Sequence, residues 1–151
     1  MKKIILKNLK KDDINLLFEW SNLKSVINNS LKRKKIKFQE HKIWFNKTLS
    51  LKKNVKKIVY INKNPIGIIR LEKKYNNFYI SYMISPKYRK KGFAYQALKH
   101  ILFNKKIKNI KKLVAIVKKD NIPSIKIFSK LKFRQIGKLK DKKLVKFEYI
   151  I

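Results

Sequence analysis

The chain has 151 residues, 44% of them hydrophobic, which is enough for one domain spanning 1–151 with a proper core and too few for two. It contains no cysteine, so disulfides, thiolate metal sites and a cysteine nucleophile are excluded together, in keeping with a reducing compartment. Lys and Arg number 42 against 8 Asp and Glu, a formal net charge of +34; lysine occurs in every segment instead of gathering on one element, so it reads as lysine-coated surface whose summed field favours anionic ligands.

In chain order, Lys2 to Asn8 predicts a first strand. A helix follows through "KKDDINLLFEWSN", with Asp12 or Asp13 as N-cap and Ile14, Leu17 and Phe18 at helical spacing. Phe38 to Leu49 predicts a second amphipathic helix, with Ile43, Trp44 and Leu49 as its apolar contacts. The period then changes. Val55 to Ile61, Ile66 to Lys74 and Phe78 to Ile84 are rich in β-branched and aromatic residues and are parted by the turns Asn62 to Pro65 and Tyr75 to Asn77. They predict an antiparallel meander. A helix from Gly92 to about Lys105, a buried strand from Lys112 to Lys118 and a helix from Asn121 to Leu131 come next. Pro123 suits the first turn of that helix, where its missing N–H costs nothing. "FRQIGKL" and "LVKFEYI" predict a closing hairpin. The sum is a mixed α+β domain.

One of only three glycines sits in "PKYRKKGFAYQAL", between a strand and a helix and amid four cations. The first-turn N–H groups of a helix lack internal partners and carry the positive end of its dipole, so they bind phosphate. Glycine lets the backbone approach a phosphate oxygen with no Cβ in the way. The segment is neither a Walker A loop nor a Rossmann fingerprint. On its own it reads equally as a turn glycine in a solvated basic loop.

The motif Arg89-Lys-Lys-Gly92-Phe-Ala94 after "ISYMI" resembles the [QR]-x-x-G-x-[GA] acetyl-CoA motif of the GNAT acetyltransferase superfamily. Downstream, Asn121, Ser124, Phe128, Lys132 and Phe133 fall at the spacing of that superfamily's N-x-x-S-x-x-x-Y-x-x-x-G-F motif. The element order agrees over the whole chain. The resemblance implies a mixed sheet of about seven strands with four helices, splayed between the fourth and fifth strands, and acetyl-CoA as co-substrate without a metal. It implies that the strand ending Tyr82, Met83 and Ile84 splays after a bulge and bonds the pantetheine arm, one N–H polarising the thioester carbonyl. Arg89, Lys90, Lys91, Gly92, Phe93, Ala94 and Tyr95 would form the pyrophosphate loop, and Asn121 would contact the arm from the other side. Ser124 matches the motif and equally suits a hydrogen bond at a helix start. Two positions depart from the pattern. Phe128 replaces the tyrosine that protonates the leaving thiolate, which leaves open a fold that binds CoA without catalysis. Lys132 replaces a glycine at a helix C-terminus, where a non-glycine residue in the left-handed region is expected to be mildly strained.

The N-terminal third, with "LFEWSN" and "HKIWF", resembles the nucleotide-sugar amine acetyltransferases that acetylate a UDP-linked 4-amino-4,6-dideoxy sugar. Ribosomal-protein and spermidine acetyltransferases share a looser version. Trp20, Asn22, Trp44 and Arg70 are the substrate-side candidates, with Arg33 as a further phosphate contact; for each tryptophan taken alone, plain core packing is the better reading. Glu72 is the candidate base, with Glu19 and Glu40 on the acceptor-side helices, and His41 stands as a base or as a hydrogen-bonded structural histidine. Expected partners are acetyl-CoA and a small amine, a nucleotide sugar foremost. A homodimer is left open, and nucleic acid enters only through non-specific charge. A basic nucleic-acid-binding domain is the competing class, but no helix-turn-helix, zinc or RNP signature supports it. No apolar run nears the roughly 18 residues of a membrane span, and the apolar part of "MKKIILKN" is too short for a signal peptide, so a cytoplasmic protein is expected.

Overall fold

A computed structural model describes residues 2–104, 107, 109–137 and 139–151. Its strands are β1 (Ile4–Asn8), β2 (Val55–Ile61), β3 (Asn64–Lys74), β4 (Asn77–Ile84), β5 (Lys112–Lys118), β6 (Arg134–Gln135) and β7 (Leu144–Ile150). Its helices are α1 (Ile14–Ser21), α2 (Lys24–Asn29), α3 (Phe38–Ser50), α4 (Phe93–Leu102) and α5 (Ile122–Lys130). One sheet runs β1-β2-β3-β4-β5-β7-β6, and β4 with β5 is its parallel pair. This is the expected mixed architecture with one added helix, the six-residue α2. The predicted end of α4 at Lys105 lies outside the described residues.

The sheet separates two cores. Phe93, Ala97, Leu98 and Ile101 of α4 and Phe128 of α5 pack with Ile69, Leu71, Ile80, Ala115 and Phe147 of the strands. Leu17 and Trp20 of α1 and Phe45 of α3 pack with Ile58 and Ile68. Alternation along β3 explains the division, since successive side chains face opposite sides. On α3 the apolar reading needs correcting. Trp44 and Leu49 pack against the core as expected, but Ile43 is 70% exposed, and His41, Phe45 and Thr48 form the fully buried stripe, at helical spacing from one another.

The β2–β3 and β3–β4 connections are two-residue turns, with Asn62 and Tyr75 in the left-handed region at φ 55° and 54°. A bulge sits between β2 and β3, where Val59 pairs with Gly67 and Tyr60 with Pro65, so Ile66 is the extra residue. Pro65 has no N–H for the ladder, which makes a bulge beside it favourable. The bulge expected in β4 is not there: β4 follows β3 in unbroken register from Lys74↔Asn77 to Gly67↔Ile84. The splay has a different origin. β4 and β5 pair only at Phe78↔Leu113 and Tyr79↔Val114, and the strands then part.

The departure at Lys132 has its expected consequence. Asn121 caps the start of α5, its side chain accepting from Ser124 N–H, and Pro123 occupies the first turn. At the other end Lys132 lies at φ 67°. Its N–H donates to Ser129 O at 3.0 Å, and Phe133 N–H donates to Phe128 O at 3.0 Å. These two bonds make a Schellman motif, closed by edge-to-face contact of Phe128 and Phe133 at 5.0 Å. A left-handed lysine costs about 1–2 kcal/mol relative to glycine. The motif's two hydrogen bonds and its ring contact hold that geometry against the strain.

Candidate active site

Beyond Tyr79, β4 has β3 on one side and, among the described residues, no strand on the other. The backbone groups of Ile80–Ile84 that do not pair with β3 therefore line a gap. At the end of β4 the chain passes through a short 3-10 turn, Pro86–Tyr88, and reaches α4. Arg89 Nε donates to Ile84 O at 2.9 Å and pins the loop to the strand. Lys90 is left-handed at φ 59°, and Gly92 is the left-handed N-cap of α4 at φ 77°. A Cβ built on Gly92 would meet nothing within 4 Å. The glycine therefore meets a conformational requirement and leaves open space beside the helix end. Gln96 N–H is the first to bond back, to Gly92 O, so the amides of Phe93, Ala94 and Tyr95 are the unpaired first-turn donors. The first turn carries no acid. Phe93 is buried in the core, Lys91 Nζ lies 3.4 Å from Lys87 O, and the Tyr95 ring lies under Lys130 Nζ at 4.6 Å.

Across the gap, the hydroxyls of Tyr82 and Ser124 are 2.7 Å apart. Asn121 already caps α5, so the Ser124 hydroxyl is free for Tyr82, and the helix-start role falls to its N–H. Phe128 is 2% exposed and packs on Tyr82 at 6.0 Å as well as on Phe133 and Phe147. Burial raises the pKa of Tyr82, while Ser124 and Arg89 pull it back.

On the other face, Trp20, Trp44, Ile68, Arg70 and Met83 line a cavity of about 40 Å³ with Leu17, Ser21 and Val26. Ile68 pairs with Met83, which sets the cavity beside the splayed half of β4. Arg70 lies over the Trp44 ring at 5.7 Å. Its Nε is buried with no hydrogen-bond partner among the described residues. Burial lowers its pKa and the charge of Glu72 raises it; Glu72 acts on Lys56 in the same sense.

Two candidates take structural places. His41 is 1% exposed, and its Nε2 is 2.8 Å from Ile14 O, so the imidazole donates there and is packed among Phe18, Phe38, Trp44 and Phe45. It ties α3 to α1 and is not placed to act as a base. Asn22 is not a free substrate contact either. Its amide accepts from Ile36 N–H at 2.8 Å and donates to Ile36 O and Phe18 O, fixing the segment that leads into α3. Its place after "EW" gave no sign of this long-range clamp. Arg33 pairs with exposed Asp120 at 3.3 Å, and Glu19 and Glu40 are exposed. Met83 on the acceptor side and the Tyr82–Ser124 pair were missed. The alternation of "FYISYMI" was the available signal, since it puts Tyr82 and Met83 on opposite faces.

The model of the Acetyltransferase (GNAT) domain matches residues 3–134. The chain belongs to the GNAT acetyltransferase family. It is an acetyl-CoA-dependent N-acetyltransferase, with acetyl-CoA as co-substrate. Three solved structures share the GNAT fold. A domain from Methanocaldococcus jannaschii superposes with a TM-score of 0.86 at 24% identity, covering 100% of both chains. Spermidine N-acetyltransferase from Vibrio cholerae, in complex with CoA and spermine, gives 0.82 at 18% identity over 97% of this chain and 95% of that one. An N-acetyltransferase from Staphylococcus aureus Mu50 gives 0.79 at 21% over 98% of each. No curated protein matches the sequence. The loop fits the GNAT co-substrate: unpaired amides, a left-handed glycine with free space beside it and an acid-free first turn suit a diphosphate. Among the described residues no helix is long and apolar enough to cross a membrane, and no side-chain cluster would hold a metal.

Proposed function

We propose that this GNAT enzyme acetylates the primary amine of a UDP-linked 4-amino-4,6-dideoxy sugar. The observation that carries the reading is Arg70. A half-buried guanidinium with an unpartnered Nε, stacked on Trp44 and lining a cavity beside β4, is a cation held ready for an anionic acceptor. Trp20 and Trp44 supply flat apolar walls. A polyamine asks for the opposite: several carboxylates, one near each ammonium. This chain has only 8 acids against 42 basic residues, and its acceptor-side carboxylate, Glu72, already faces Arg70 and Lys56. The likeness to a spermidine acetyltransferase is one of fold.

In this reading acetyl-CoA supplies an activated acyl group, and the chain's residues do the rest. The amides of Phe93, Ala94 and Tyr95 hold the diphosphate, with Arg89, Lys90 and Lys91 adding charge. The free edge of Tyr82–Ile84 receives the pantetheine arm, with Asn121 at the opposite wall. Glu72 takes the amine proton through water. A comparison of kcat/KM at physiological salt tests the acceptor. The UDP-linked amino sugar is expected to exceed spermidine and a ribosomal-protein N-terminal peptide by at least tenfold. A preference for either of the other two refutes the sugar assignment while leaving the acetyltransferase intact.

A further inference from the structure

The thiolate expelled by acyl transfer needs a proton, and the family's tyrosine position holds Phe128, a ring without a hydroxyl, sealed in the core at 2% exposure. We infer that Tyr82 supplies this proton, with Ser124 as its relay, so that the acid acts from β4 instead of α5. The inference rests on acetyl-CoA transfer and not on the identity of the acceptor.

Four observations support it. Tyr82 lies on the half of β4 that has parted from β5, where the thioester arm would run. Its ring rests against Phe128 at 6.0 Å, so the phenol borders the side chain that stands at the family's tyrosine position. Its partner across the gap is Ser124, itself buried at 8% exposure and released from capping by Asn121. Either hydroxyl can donate in that pair; when Ser124 donates to Tyr82, the phenol proton is left for a third group. Packing alone would be met by phenylalanine at position 82. The charged group that faces the phenol is Arg89, anchored to Ile84 O, and α5 contributes Ser124 and Phe128. Arg89 offsets phenolate charge as it develops.

The step balances. The amine nitrogen forms a bond to the acyl carbon, and the carbon–sulfur bond breaks with its electron pair on sulfur. Sulfur takes the Tyr82 proton. Ser124 returns a proton to the phenolate from solvent, and the amine's surplus proton leaves to solvent through the base.

The test combines turnover with binding. Tyr82→Phe is expected to lower kcat by about 10²-fold or more, in the usual range for a lost general acid, and to remove the alkaline limb of the pH–rate profile. Phe128→Tyr added to that variant is expected to recover at least tenfold. Independently of any acceptor, the wild type is expected to bind CoA more tightly than desulfo-CoA, and Tyr82→Phe is expected to shrink that preference. Should Tyr82→Phe not fold, Ser124→Ala keeps the phenol but removes its relay, and the alkaline limb is expected to move. An unchanged rate and pH profile in the folded Tyr82→Phe variant overturns the inference, as does an equal preference for CoA over desulfo-CoA in both proteins. A wild type inactive on every amine tried would count against the acceptor reading, and the CoA comparison would still decide the role of Tyr82.

Discussion

Replacing Gly92 by valine is expected to abolish CoA-dependent stabilisation while the apo protein stays folded. The glycine holds φ 77° at the start of α4, a region that costs an L-residue about 1–2 kcal/mol and a β-branched one more. That is small beside a typical stability of about 5–15 kcal/mol, so folding survives. Binding does not. Either the loop leaves the left-handed region and the amides of Phe93, Ala94 and Tyr95 turn away, or the new side chain fills the open space beside them. Ligand at a hundredfold excess over Kd stabilises by about 2.7 kcal/mol, roughly 5–10 °C in Tm for a chain of this size. A thermal-shift titration reads the loss. Gly137→Val is the control, because Gly137 is also left-handed, at φ 62° with open space around it, in the chain between α5 and β7. It introduces the same strain and should keep the CoA shift. A folded Gly92→Val protein with an undiminished shift would take the glycine out of the site.

Arg70→Met separates function from stability. A buried donor without a partner costs about 1–3 kcal/mol, offset in part by the Trp44 ring beneath the guanidinium. Methionine fills a similar length with no unpaired group, so Tm is expected to stay level or rise. The kcat/KM for the UDP-linked amino sugar is expected to fall by 10²-fold or more, the scale of a desolvated cation lost from an anion, with CoA affinity unchanged. Paired urea melts and kinetics decide. A clear destabilisation with kcat/KM intact would make Arg70 a packing residue.

What the sequence disclosed and what it withheld divide along physical lines. Runs rich in β-branched and aromatic residues made β2, β3 and β4 plain, a continuous apolar run did the same for β5, and a glycine amid lysines marked the start of α4. Lys132 at a glycine position announced its own strain. Local pattern failed where long-range contacts decide. The segment "LKSVINN" is too short and too polar to signal α2, and Asn22 takes its role from Ile36, distant in sequence. His41 reads as a titratable group on a helix face, yet α1 covers it and its ring is consumed by one carbonyl. The splay is set by where β4 and β5 cease to pair, a property of two strands separated by a helix. The pairing of Tyr82 with Ser124 follows from that gap, and neither residue discloses it alone.

Amide hydrogen exchange with and without acetyl-CoA tests the central claim most directly, because it reports where the co-substrate lies without requiring an acceptor. Protection should rise at residues 82–84, on the free edge of β4, and at 90–95, around Gly92, and the amides of β1 and β2 at the far edge of the sheet should not change. Protection confined to other segments, or an exchange pattern that acetyl-CoA leaves untouched, would contradict the placement of the co-substrate between the parted strands.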